Sequence, residues 1–270
     1  MIIGTVRRTA LGAALLTLLL ALPGCTGQGR SAPRPTGGAS APAAAPSSQP
    51  PTAPCQAAEL AGTGVHFPDA AGATIAGYLL GTGPRAVVLA AQRRLDSCSF
   101  RAYASVLAAR HYRVLAFDFA GEGDSTAAPA ATPSGDVAAA VSYLRSLGVT
   151  TVVLLGTSRG ATAAVVAAAA VTPPVAGVVS VSAPAVFDGE DARAAAARLK
   201  VPSLYLAAAS DPGYPDAARS LYDASRGSAR RLLIVDGSRH GIALLSPADP
   251  DSTQATAAID TFLTSVAPPA

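Results

Sequence analysis

One pentapeptide in the chain has the residue types and spacing of an activated serine. Gly156-Thr157-Ser158-Arg159-Gly160 follows the apolar run Thr151–Leu155 and precedes an alanine-rich stretch over residues 161–170. A serine placed between a buried strand and a helix projects at the end of the sheet, where the helix N-terminus favours a developing negative charge. The tight turn requires residues without side chains two positions before and two positions after the serine. We therefore predict that Ser158 is a nucleophile for acyl transfer.

A serine hydroxyl needs a general base, and the chain has three histidines. His240 follows the last apolar strand, Leu232–Val235, so its loop is expected at the same sheet edge as Ser158. His66 lies upstream of the second predicted strand and His111 lies at a helix-to-strand junction, and a structural role suits both. His240 is the predicted base.

The base in turn needs a carboxylate that fixes its tautomer and stabilises its protonated form. Asp211 follows the strand Leu204–Ala208 within Ser210-Asp211-Pro212-Gly213, a turn that presents its side chain at the sheet edge. We favour Asp211 on this position alone. Asp188 and Asp216 remain alternatives, although Asp216 falls in the first turn of a predicted helix, where an acid is structurally useful.

Short apolar runs alternate with longer alanine-rich stretches, a pattern typical of parallel βαβ units. Continuous apolar character predicts strands that are buried on both faces. The predicted strands are Thr74–Leu80, Ala86–Ala91, Val114–Phe119, Thr151–Leu155, Gly177–Val181, Leu204–Ala208 and Leu232–Val235. The predicted helices are Phe100–Arg110, Gly135–Leu147, Ser158–Ala170, Ala192–Leu199, Pro215–Ala224 and Ser252–Val266. Together they predict an α/β fold with a mostly parallel central sheet and helices on both faces.

With Ser158, Asp211 and His240 in that chain order, the region from about residue 57 to 266 resembles the α/β-hydrolases, in particular small, dienelactone-hydrolase-like members. The glycine turn in Val114–Ser125 and the histidine loop Gly237–Gly241 also carry the resemblance. It implies a serine hydrolase that cleaves a small carboxylic ester through an acyl-enzyme, without cofactor or metal. The short segment between Val181 and Val201 leaves no room for a large cap domain.

The chain departs from the resembled family where the oxyanion hole is built. Family members usually have His-Gly after the strand that corresponds to Ala86–Leu89, whereas this chain reads Ala90-Ala91-Gln92-Arg93-Arg94. Backbone N–H donors do not depend on the side chain, so we assign the two donors to Gln92 and Arg159. Arg159 and the Arg93-Arg94 pair could attract acidic substrates, and solvated surface arginines are the alternative.

The N-terminal region has the composition of an export signal followed by a spacer. Arg7 and Arg8 precede an apolar stretch too short to span a bilayer, and Leu22-Pro23-Gly24-Cys25 resembles a bacterial lipobox. We predict a signal peptide over residues 1–24, a lipidated Cys25 that starts a Pro/Ala-rich disordered spacer over 25–54, and a hydrolase domain over 55–267. The protein would then be exported and lipid-anchored at the outer face of the membrane. The alternatives are an uncleaved N-terminal membrane anchor and plain secretion after signal peptidase cleavage.

Two cysteines remain in the predicted exported domain, Cys55 and Cys98. Because disulfides form and persist outside the cytosol, we predict that these two residues are bonded.

Charge and composition exclude some classes of partner. The net charge is +3, and no basic run is long enough to bind nucleic acid. The sequence does not separate an esterase from a peptidase or thioesterase with the same triad. It also leaves open a non-catalytic cell-envelope or binding protein on a hydrolase scaffold, because fold alone does not imply activity. The oligomeric state stays open.

Overall fold

The computed structural model describes residues 62–227 and 229–268. The strands are β1 (Thr63–Pro68), β2 (Thr74–Leu80), β3 (Arg85–Ala90), β4 (Arg113–Phe117), β5 (Thr151–Thr157), β6 (Gly177–Val181), β7 (Val186–Phe187), β8 (Glu190–Asp191), β9 (Ser203–Ala208) and β10 (Arg230–Val235). The helices are α1 (Arg101–Ala109), α2 (Pro133–Ser146), α3 (Arg159–Ala170), α4 (Ala192–Ala196), α5 (Tyr214–Ala224) and α6 (Thr253–Val266). Short 3₁₀ helices cover Ser97–Phe100, Gly241–Leu245 and Pro250–Ser252.

Eight strands form one central sheet in the order β1-β2-β4-β3-β5-β6-β9-β10. β1 and β2 are antiparallel at one edge, β2 pairs antiparallel with β4, and the strands from β4 to β10 are parallel to one another. This confirms the predicted fold class. The segment between β6 and β9 holds only the small β7–β8 hairpin and α4, so no large cap covers this edge.

Side chains of the central strands alternate between two hydrophobic layers. On β5, Leu154 packs into the layer that includes α2, α3, α4 and α5, whereas Val153 and Leu155 pack into the layer that includes α1 and α6. All six residues of β3 are buried, as the continuous apolar run predicts. The small side chains of α3 let this helix pack closely against the sheet beside the nucleophile.

The structure extends the sequence-based elements in two places. β1 was not predicted, because only Val65 and Phe67 of its six residues point inward and the strand ends at a proline. The β7–β8 hairpin was also missed, since its strands are only two residues long. Neither element shows the sustained apolar pattern by which a strand is recognised in a sequence.

β4 ends two residues earlier than the sequence predicts, and β3 ends one residue earlier. Val114–Phe119 was predicted, whereas β4 ends at Phe117. Asp118 leaves the strand because its carboxylate accepts hydrogen bonds from Ser97 N (2.7 Å) and Asp124 N (3.1 Å). The aspartate therefore holds two loops beside the functional edge of the sheet.

Several predictions on the N-terminal region lie outside the described residues. These are the signal peptide, the spacer and the lipidated Cys25, together with Cys55 of the predicted disulfide. Cys98 lies in the 3₁₀ helix Ser97–Phe100 and is partly buried. The Cys55–Cys98 bond stays a prediction. Within residues 62–227 and 229–268, no helix is long and apolar enough to cross a bilayer.

A buried carboxyl group joins α2 to the loops beside it. Asp136, in the first turn of α2, is 2% exposed, and its Oδ2 accepts a hydrogen bond from Ala120 N at 2.8 Å. Burial raises the pKa of Asp136 to about 6, and the neighbouring Asp69 adds to the rise, whereas the Ala120 hydrogen bond opposes it. The folded protein therefore binds a proton at Asp136 more tightly than the unfolded chain does.

We expect this group to make the protein more stable as the pH falls from 7 to 4. Its folded pKa exceeds the ordinary value of 3.8, so its contribution is fully present near pH 4 and is lost as the pH rises through 6, an effect of up to about 3 kcal/mol. Urea unfolding of the wild type and Asp136→Asn at pH 4, 5, 6 and 7 measures it. The free energy of unfolding of the wild type, relative to that of Asp136→Asn, should fall as the pH rises from 4 to 7.

The exposed Asp216→Asn is the matched control and should track the wild type across this range. If the difference in unfolding free energy between the wild type and Asp136→Asn stays constant from pH 4 to 7, the expectation is contradicted.

Candidate active site

Ser158 stands at a sharp turn between β5 and α3. Its backbone has φ 49° and ψ −119°, a conformation that costs a non-glycine residue about 1–3 kcal/mol. The Ser158 N–H donates a hydrogen bond to Val181 O at the end of β6, at 2.8 Å. The neighbouring strand thus holds the serine in its strained conformation, with the side chain partly exposed at the sheet edge.

The two glycines of the motif are required by close backbone approaches. A Cβ added at Gly156 would lie 2.1 Å from Gly160 O, and a Cβ added at Gly160 would lie 2.2 Å from Ala90 O. Atoms that close would overlap, and both obstacles are backbone rather than movable side chains. The start of α3 is therefore pressed against the end of β3, and only glycine fits at the two positions.

We expect Gly160→Ala to lower the free energy of unfolding by at least about 1–3 kcal/mol, because the added methyl must displace β3. The matched control is Gly64→Ala in β1, where an added Cβ has no atom within 4 Å. Denaturant unfolding of both variants checks this. Equal midpoints for Gly160→Ala and the wild type would show that the packing is looser than described.

The structure places Asp211 against His240. His240 Nδ1 and Asp211 Oδ2 are 2.8 Å apart, and the side chains are 30% and 6% exposed respectively. A buried carboxylate at this distance fixes the Nδ1–H tautomer and leaves Nε2 free to accept a proton.

The alternative acids have other surroundings. Asp188 lies in the turn between β7 and β8 with φ 48°, and Asp216 accepts a hydrogen bond from Arg219 at 2.9 Å. Of the three acids considered from the sequence, only Asp211 contacts His240.

Tyr214 packs against the His240 ring, and the sequence analysis missed it. The ring centroids of Tyr214 and His240 are 4.3 Å apart with the planes at 56°. Tyr214 begins α5 directly after Gly213, so the turn that presents Asp211 also presents the aromatic ring. An aromatic residue three positions after the predicted acid was the available signal.

The histidine loop approaches the nucleophile through Gly241, which follows His240, and Thr157, which precedes Ser158. A Cβ on Gly241 would lie 3.5 Å from Thr157 Cβ, an ordinary contact distance. Gly241 N also donates a hydrogen bond to Ser182 Oγ at 3.1 Å, just beyond β6. In the described part of the chain no hydrogen bond joins Ser158 Oγ to His240, and such bonds are often long before a substrate binds.

The segments assigned to the oxyanion hole are neighbours. Arg159 is the first residue of α3, where a backbone N–H has no intrahelical acceptor. Gln92 lies just after β3, whose Ala90 carbonyl packs against Gly160. The two donors stay predictions. β3, which precedes Gln92, and β5, which precedes Arg159, are adjacent in the sheet.

The Arg159 side chain does not provide a free positive charge. Its two terminal nitrogens donate to both carboxylate oxygens of Glu122, at 2.7 and 2.5 Å, and its guanidinium lies 4.3 Å from the Phe119 ring centroid. Arg159 is 6% exposed. The suggestion that Arg159 attracts acidic substrates is therefore wrong, because Glu122 already neutralises it.

Arg93 has a different environment from Arg159. It is exposed and lies 6.0 Å over the ring of Phe187 in the β7–β8 hairpin. Within residues 62–227 and 229–268 there is no group of three or more His, Cys, Asp or Glu side chains placed to hold a metal ion.

Comparison with known proteins identifies the fold. The family model of the α/β-hydrolase fold matches residues 95–199. An esterase of Pyrococcus furiosus, Pf2001, superposes with a TM-score of 0.68 at 15% identity, over 77% of this chain and 92% of that one. The esterase RhEst1 of Rhodococcus sp. ECU1013 gives 0.62 at 20% identity, over 75% and 99%.

A monoacylglycerol lipase of Paleococcus ferrophilus gives a TM-score of 0.59 at 19% identity, over 72% of this chain and 99% of the lipase. Among curated proteins no sequence matches significantly. The chain has the α/β-hydrolase fold, with the strained serine turn and the Asp211–His240 pair at the carboxyl edge of its sheet.

Proposed function

We propose that this protein is a serine esterase of the compact, dienelactone-hydrolase-like kind, with Ser158, His240 and Asp211 as its triad. The observation that carries the proposal is the 2.8 Å contact between His240 Nδ1 and Asp211, on a loop where a Cβ at Gly241 would lie 3.5 Å from the residue before Ser158. The strained backbone of Ser158 supports it, because such conformations persist mainly at functional sites. The esterases with similar structures also support it.

The reaction follows from the roles of these groups. Ser158 Oγ attacks the ester carbonyl while His240 Nε2 takes the hydroxyl proton, and Asp211 stabilises the resulting imidazolium. The carbonyl oxygen becomes an oxyanion that accepts hydrogen bonds from the N–H groups of Gln92 and Arg159. The tetrahedral intermediate then collapses, the C–O bond breaks, and His240 gives its proton to the departing alcohol. Water activated by His240 hydrolyses the acyl-enzyme in the same way and releases the acid.

The surroundings of the site favour small ester substrates that approach from solvent. Only the β7–β8 hairpin and α4 lie between β6 and β9, so an extensive lid is not available from this segment. Tyr214 beside His240 and Phe187 on the hairpin supply apolar surface near the mouth. A small carboxylic ester therefore suits this site better than a long polymer that must be enclosed.

We expect Ser158→Ala to fold cooperatively and to lose about 10³ to 10⁶ in kcat, since the acyl-enzyme route disappears. His240→Ala should lose a similar factor because residues that act as a unit are not additive. Asp211→Asn should lose about 10² to 10⁴ through the wrong tautomer, whereas Asp216→Asn, exposed on α5, should stay near wild type. Hydrolysis of a short nitrophenyl ester measures all four.

Labelling with a fluorophosphonate separates chemistry from folding in the same preparations. The wild type should be labelled at Ser158 and Ser158→Ala should not, with thermal melts as the check on folding. A folded, fully active Ser158→Ala protein would end the esterase proposal. A wild type that is neither labelled nor active on esters, amides or thioesters would support a non-catalytic role.

We also propose that the enzyme is exported and tethered to the membrane by a lipid on Cys25. The support is the sequence of a basic start, a short apolar stretch and Leu22-Pro23-Gly24-Cys25, followed by a Pro/Ala-rich spacer. A spacer of this composition has no membrane affinity of its own, so the acyl chains would supply the anchor.

Mass spectrometry of the mature N-terminus tests this. We expect a chain that begins at acylated Cys25 and fractionates with membranes, and Cys25→Ser should lose the lipid. An unmodified mature protein in the medium would contradict the anchor and favour plain secretion.

A further inference from the structure

Two side chains hold the segment that directly follows His240. The N–H of Gly241 donates to Ser182 Oγ at 3.1 Å, and the N–H of Ile242 donates to Gln92 Oε1 at 2.9 Å. These N–H groups begin the 3₁₀ helix Gly241–Leu245, where a helix has no internal acceptors for its first donors. The acceptors therefore come from two other strand ends.

The fit between Gln92 and the loop is close. Gly241 has φ 55°, and a Cβ added there would lie 2.1 Å from Gln92 Oε1. The side-chain carbonyl of Gln92 therefore occupies the space that the glycine leaves open. Gly241 is buried, and Gln92 and Ile242 are half-buried, so the hydrogen bond to Ile242 is partly shielded from solvent. A shielded N–H that lost its acceptor would cost about 1–3 kcal/mol.

The sheet order explains why such an anchor is needed. β10 is the edge strand, and β9, β6 and β5 separate it from β3. The loop after β10 must therefore extend back across the sheet edge to bring His240 near Ser158, which follows β5. Asp211 and Tyr214 both follow β9, so they hold the His240 ring from one side only. Gln92, after β3, contacts the loop from the opposite side.

We infer that Gln92 is a positioning residue that fixes the general base over the nucleophile through its side-chain carbonyl. The inference rests on the proposed esterase function for its catalytic consequence. Because the backbone of the same residue is assigned to the oxyanion hole, Gln92 ties the oxyanion donor and the base into one unit.

The test uses the full-length protein and three substitutions. Gln92→Leu keeps the size and removes the acceptor, Gln92→Glu keeps an acceptor, and Gln254→Leu makes the same change at an exposed position on α6. We expect Gln92→Leu to lower kcat about 10- to 100-fold, because a misplaced base slows both acyl-transfer steps. KM should change less than about 3-fold, because the base does not hold the bound substrate. Gln92→Glu should recover most of the loss, and Gln254→Leu should equal wild type.

Proton NMR adds a measurement that does not depend on turnover. The His240 Nδ1 proton shared with Asp211 should give a downfield resonance that is absent in His240→Ala. We expect this resonance to persist in the wild type, Gln92→Glu and Gln254→Leu and to broaden or disappear in Gln92→Leu. It reports the position of the ring even in a protein without esterase activity.

A folded Gln92→Leu protein with wild-type kcat and an unchanged resonance would overturn the inference. If Gln92→Leu does not fold, Gln92→Asn is the substitute, since its amide is one methylene too short to reach Ile242 N and the same outcomes apply. A wild type that hydrolyses no ester contradicts the proposed function, and the resonance of the Gln92 variants still decides the positioning role.

Discussion

The close approach of α3 to β3 is the constraint on which the rest of the site depends. Gly160 lies against the Ala90 carbonyl so tightly that no side chain fits between them. This contact places the first N–H groups of α3 beside the end of β3, and it fixes the direction in which Ser158 leaves the sheet. The strained φ of Ser158 follows from it, because the chain must turn from β5 into a helix that is already seated. Small residues along α3 are the means by which the helix gets this close.

The positive charge of Arg159, the residue after Ser158, is neutralised by a carboxylate of the same chain. The backbone N–H of Arg159 is a predicted oxyanion donor, while its side chain binds Glu122 and packs on Phe119. Glu122 belongs to the glycine turn after β4, so the ion pair links that turn to the start of α3. A buried guanidinium without this carboxylate would be strongly unfavourable. The pair therefore orders the loop around the site.

The fold and the proposed triad residues were accessible from the sequence where the signal is local. The run over residues 151–160 contains both the buried strand and the turn, and strand-end position pointed to Asp211 and His240 without any knowledge of their distance. The signal was absent where the contact is distant or the element short. Gln92 and Ile242 are 150 residues apart, and no local pattern relates a glutamine after one strand to an N–H after another. Similarly, β1 has too few inward residues to stand out from a loop.

The long reach of the histidine loop has a consequence for the order in which the protein becomes competent. Contacts between residues far apart in the chain form late, because the intervening segments must first be brought together. A growing chain contains Ser158 and α3 before β6 supplies the Val181 carbonyl that holds the serine turn, and the imidazole and its Gln92 anchor are joined only when β10 has added to the sheet. Of the proposed triad, the nucleophile is therefore synthesised well before its base. If the triad is the one proposed, base-assisted acyl transfer begins only once the last strand has joined the sheet.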